Sequence, residues 1–147
     1  MSINFHLAAK RHWDDATLLE SNVRIPNAGQ LYGLSAECGI KAVLIGLGYP
    51  INLDGSPPKI PPGGTPKIRE HVNILANSIA AIQLYAHGRN GAKYTAMLSN
   101  ISDFADWNVD HRYYDESAIP HSLSAWQIAS AEVMKMVDSA LLDGVLK

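Results

Sequence analysis

Two stretches of this 147-residue chain concentrate the side-chain types that do chemistry. The first is "DWNVDHRYYDE", residues 106–116. Trp107, Tyr113 and Tyr114 offer ring faces on which bases stack, and His111 with Arg112 offers contacts to phosphate. Cleaving a phosphodiester without metal needs a proton-transfer group and a cation near the scissile phosphate. Arg112 and His121, which lie in one region at a helix start, are the candidate catalytic pair. Asp106, Asp110, Asp115 and Glu116 surround the basic residues and weaken the case for RNA. The alternative is that the aromatic residues seal one end of a bundle while the acids begin the last helix. The residues alone leave these two readings level.

The second stretch is "LSAECGIKAVLIGL", residues 34–47, an apolar and small-residue run that carries Glu37 and Lys41 four apart. On a helix, Gln30, Gly33, Glu37 and Lys41 fall on one narrow stripe between two apolar faces. Gly33 lets another element approach closely. A semi-buried carboxylate needs a partner, and Arg112, Arg11 and His71 are the candidates. A structural polar network fits better than a ligand site, because an unpaired buried charge is so costly. No two of the six histidines stand three or four apart and HExxH is absent, so neither metal nor cofactor is expected. Cys38 lies on the core stripe and reads as a small buried hydrophobe. "GRNGAK", residues 88–93, lacks phosphate-loop spacing and reads as a helix-ending turn.

The elements that must position these groups are helical. Apolar residues recur at helical spacing over 4–20, and Asn27 after Pro26 is the expected cap of a second helix over 28–47. Residues 48–67 hold six of the eight prolines, so a surface connection, functional or mobile, is expected at about 49–66. Ile68, Val72, Leu75, Ile79, Ile82 and Leu84 predict a third helix over 67–87, ended by "HGRNG". A shorter helix over 92–105 and a last one over 120–143 follow, with the aromatic loop between them. Period-two alternation is never sustained. The expectation is one all-α domain over 1–147, an up-and-down bundle of four to five helices.

A net charge of −2 supplies no global field for nucleic acid, so RNA could be held only by a local patch. The N-terminus lacks a signal-peptide core, and the longest apolar run falls far short of a membrane span. With its single cysteine the chain fits a reducing cytoplasm and no membrane partner.

"DDATLLESNVRIPNAGQLYGLSAECGIKAVL" resembles the first helical hairpin of HEPN (higher eukaryotes and prokaryotes nucleotide-binding) domains. Asp15, Ala16, Leu18, Ala28, Leu31, Ala36, Glu37, Lys41, Ala42 and Leu44 stand in its motif positions. His71 with Leu75 matches the opening of the family's third helix, and Arg112-Tyr113 matches the pair before its last. The resemblance spans about residues 8–140 and implies a helical bundle that forms a two-fold homodimer. It also implies a polar cleft near Glu37, Lys41, His71, His111, Arg112 and Tyr113. Many members are metal-independent RNases, toxins or defence proteins; others are inactive partners of small nucleotidyltransferases. The RNases carry Arg, a polar residue, and a His after four to six intervening residues. In this chain Tyr113 follows Arg112, and the next histidine, His121, comes after eight intervening residues. The expectation is therefore a non-catalytic module that binds a nucleotide, RNA or a protein partner, in a toxin–antitoxin or defence setting. An RNase with non-standard Arg112/His121 spacing and a purely structural subunit are the rivals.

Overall fold

The computed structural model describes residues 2–76, 79–86 and 89–147. Three long helices make the frame: α1 (Phe5–Ser21), α2 (Ile25–Gly46) and α6 (Leu123–Leu142). Between the last two come short helices α3 (Val72–Leu75), α4 (Ala80–Tyr85) and α5 (Arg89–Ala96), then three 3-10 turns (Ile101–Asp106, Val109–Tyr113, Glu116–Ala118). Among the described residues there is no strand, and no helix is long and apolar enough to cross a membrane. The all-α expectation holds.

α2 is the central element, with fifteen of its 22 residues buried between α1 and α6. Small residues make this possible. A Cβ on Gly39 would stand 2.6 Å from Val133 of α6, closer than real carbon contacts allow. The core around it joins Ile40, Val43 and Leu44 to Val133, Met136 and Val137, with Tyr32, Tyr94, Phe104 and Trp107 sealing the sides.

The long helices all close with the same pair of hydrogen bonds. After α1, Val23 N donates to Glu20 O and Arg24 N to Leu19 O (3.0 and 2.8 Å). After α2, Gly48 and Tyr49 donate to Ile45 and Leu44, and after α6, Gly144 and Val145 donate to Leu141 and Ala140. This closure puts one residue in the left-handed region, where glycine is at ease. Gly48 (φ +106°) and Gly144 (φ +77°) follow that rule, but the third such residue is Val23 at φ +59°, a β-branched residue with 77% of its surface exposed.

Four sequence expectations are corrected. Asn27 does not cap α2, which begins at Ile25 with Pro26 in its first turn. The closure at Arg24 delivers the chain already turned, and proline suits a position whose N–H has no intrahelical partner. The helix over 67–87 is not continuous: Lys67–His71 are non-helical, α3 is one turn, and α4 starts at Ala80. Residues 77, 78 and 87 lie outside the described residues. Ile68, Val72, Leu75 and Ile82 are buried as their spacing suggests and Ile79 partly so, delivered by separate short pieces, while Leu84 stands exposed. α4 does end just before "HGRNG", at Tyr85, but Arg89–Gly91 open α5 and are not a turn; Gly88 also lies outside the described residues. The helix over 92–105 stops at Ala96, and the chain turns where Asn100 donates its backbone N–H and side-chain amide to the Glu132 carboxylate of α6 (3.0 and 2.6 Å).

The proline-rich connection is pinned at a few points. Tyr49 is buried, packs on Tyr85 and donates to Pro66 O. Ile3 N donates to Asp54 O at 2.7 Å, tying the connection to the start of the chain. Burial and the Asp143 carboxylate push the Tyr94 hydroxyl up to about 12, and Lys93 and Tyr94 hold Asp143 below the usual carboxylate range.

Candidate functional site

The polar stripe of α2 forms as its spacing predicts, and a different piece of the chain meets each position. Gln30 Nε2 donates to Asn108 O (2.8 Å). At Gly33 the Trp107 indole lies so close that a Cβ would stand 2.1 Å from it, and Trp107 Nε1 donates to Gly29 O (3.0 Å). Glu37 is 8% exposed and both its oxygens are met: Lys41 Nζ donates to Oε1 at 2.7 Å, and His71 Nδ1 lies 3.0 Å from Oε2. Lys41 is equally buried and rests over the Phe5 ring, 5.7 Å from its centre.

Of the three partners the sequence offers Glu37, the structure pairs it with His71. That follows from the non-helical backbone of 67–71, which sets His71 at the start of α3 and over the middle of α2. His71 keeps half its surface in solvent and approaches Trp107, with ring centres 6.3 Å apart. The Glu37 charge is felt at its neighbours. Burial, then that charge, pushes the Cys38 thiol up to about 11, so it is a protonated core residue. Burial and Arg11 push His12 below its ordinary value, against Asp15 and Glu37.

The 106–122 loop is a different kind of place. His111 is 7% exposed, its ring stacked on Trp126 (6.1 Å, 25°) and tilted against Tyr114 (5.5 Å). Its Nδ1 is fully buried and has no hydrogen-bond partner among the described residues. Arg112 and Tyr113 stand outward on the same 3-10 turn, the guanidinium 4.8 Å from the ring centre and Tyr113 74% exposed. No ion pair engages Arg112 among the described residues. It lines a hollow of about 320 Å³ with Leu19, Asn27, Gln30, Leu31 and Leu34.

The sequence-predicted residues thus fall into two groups. Glu37, Lys41 and His71 are brought together; His111, Arg112 and Tyr113 share a turn beside Gln30. Arg112 and His121 do not share a hollow. His121 is exposed and lines a separate space of about 430 Å³ with Ile25, Pro26, Ile119, Leu123 and Trp126. Two of the neighbouring carboxylates are already engaged. Asp106 accepts from Ser122 and from Trp126 Nε1, and Asp115 accepts from Ser117, which holds it below the usual carboxylate range. Trp107, offered by the sequence as a ring for bases or as a seal, is buried at 1% exposure and cannot stack on a base; that it covers the stripe at Gly33, with Asn108 beside it, is what sequence reasoning missed. Gly33, a bare backbone position facing an aromatic-rich loop, was the available signal. Among the described residues no group of three or more His, Cys, Asp or Glu side chains is placed to hold a metal ion.

No family model matches the chain, and no curated protein or solved structure is found similar to it.

Proposed function

We propose that this chain is a HEPN-like, non-catalytic binding module that takes single-stranded RNA or a nucleotide on the Arg112–Tyr113 ridge. The observation that carries the reading is the state of Arg112: exposed, engaged by no carboxylate among the described residues, and lining the Leu31–Leu34 hollow. A buried and fully paired guanidinium would have favoured a purely structural role instead. Tyr113 and Tyr114 supply exposed ring faces beside it, and stacked bases with a cation on the backbone are how single strands are held. The Glu37–Lys41–His71 cluster serves the fold in this reading, since its members satisfy one another. A nuclease is less well supported, because the proton-transfer candidate His121 borders a different hollow. Acting as a two-fold homodimer, the chain would give twice its 16.0 kDa mass in light scattering.

The test is fluorescence anisotropy of a labelled single-stranded RNA, with a mononucleotide as competitor. Weak binding that falls steeply with salt is expected, and Arg112→Ala should weaken it by about tenfold, within the range of one lost stacking or phosphate contact. No binding at low salt and tens of micromolar protein would sink the reading. Cleavage of the RNA in EDTA, lost in both Arg112→Ala and His121→Ala, would install the nuclease instead.

A further inference from the structure

We infer that His111 is the positioning residue of the ridge: its flat ring, stacked on Trp126, holds the 109–113 turn so that Arg112 stands over the Leu31–Leu34 hollow. This rests on reading the ridge as the binding surface.

The turn is attached at its start by Val109, which packs half-buried against the core, and it lies against α2. It is a single 3-10 turn, a geometry with poorer hydrogen bonds than an α-helix. Just before it, Gln30 holds Asn108 O and Trp107 is fixed against α2. At its end Tyr113 stands in solvent, and beyond it Tyr114 is half exposed. His111 is the buried side chain of the turn, and it touches α6 through Trp126. Trp126 is itself immobilised, with its Nε1 donating to Asp106 at 2.9 Å.

The His111 ring makes this contact by shape. A buried nitrogen without a partner carries a desolvation cost that an all-carbon ring of similar size avoids. The stacking face is therefore what holds the Arg112 end of the turn, beyond Val109. Arg112 and Tyr113 follow directly in sequence, so losing the anchor displaces both without altering either.

The experiment compares His111→Ala, His111→Phe and His111→Asn with the parent chain. One readout is RNA anisotropy. The other, made without RNA, is the rate of trypsin cleavage after Arg112, followed by mass spectrometry, with circular dichroism verifying the fold. His111→Ala and His111→Asn should expose the Arg112–Tyr113 bond to faster cleavage and lower RNA affinity by about tenfold, although both contact residues remain. His111→Phe should restore slow cleavage and parent-like or tighter binding. If His111→Ala fails to fold, the Phe and Asn variants carry the same contrast. Unchanged cleavage in Ala and Asn overturns the inference, as does a Phe variant that behaves like Asn, since the nitrogen would then be what matters. If the parent chain binds no RNA but the cleavage pattern is as expected, the functional reading has failed and the holding role of His111 stands.

Discussion

Glu37 and His111 are both buried polar side chains on the surface where α2 meets the second half of the chain, yet their surroundings are opposite. Glu37 has a partner on each oxygen. His111 has a nitrogen with none among the described residues. The first sits on a regular helix, where the i, i+4 relation supplies Lys41 and leaves one oxygen for an incoming residue. The second sits on a short turn whose neighbours fan outward, so burying one ring exposes Arg112 and Tyr113. Where periodicity sets every direction, a polar group can be fully satisfied and serves stability. Where it does not, satisfaction is traded for display.

Removing Glu37 tests that contrast most severely. Glu37→Ala strands a buried Lys41 ammonium and should destabilise by about 3–5 kcal/mol in urea unfolding, with Glu37→Gln costing less. A loss within about 0.5 kcal/mol would place Glu37 with ordinary surface residues.

Gly33→Ala asks whether the stripe is covered as tightly as the indole contact implies. With a Cβ 2.1 Å from Trp107, the indole must shift, at a cost of about 1–3 kcal/mol. Trp107 emission should change with it. An unaltered midpoint and spectrum would mean that Trp107 does not rest on Gly33.

Alkaline titration addresses the seam through Cys38. Its folded pKa of about 11 lies above the reference 9.0, so between those values the folded state holds more protons than the unfolded. Stability should therefore fall as pH rises from about 9 to about 11. Cys38→Ala should remove that portion of the slope, and an unchanged slope would show that the thiol is not buried beside Glu37.

Arg112→Ala should move stability least, by within about 0.5 kcal/mol, because an exposed guanidinium without an ion partner among the described residues supports little. A loss of several kcal/mol on urea unfolding would assign Arg112 to the frame and erase the difference between the two regions.

The three long helices and the satisfied half of this surface were legible in the sequence. The second helix is apolar on two sides with one polar stripe between, and that pattern has one reading: a central helix whose stripe needs partners. His71 could be named because it is one of the few side chains able to meet a buried carboxylate. The middle of the chain was misread for a physical reason. Ile68, Val72, Leu75 and Ile82 need burial at intervals that fit a helix, and the chain meets the need with a non-helical stretch and short turns. Periodicity reports which side chains go inside, and several backbone paths can take them there. The outward pose of Arg112 was beyond the sequence, since nothing in the order of residues 106–122 says which ring faces α6.

Val23 has a consequence for the order in which this chain folds. The α1–α2 hairpin joins near neighbours in sequence, the kind of contact that forms early. Its turn holds a valine in the left-handed region, a strain of about 1–2 kcal/mol that glycine avoids at some cost in chain entropy. The exposed side chain offers little packing to lose. Val23→Gly should then raise the refolding limb of a chevron while leaving the unfolding limb in place, the mark of a residue already in its native pose at the transition state. The native valine would be a brake on nucleation, applied at the first corner the chain has to turn.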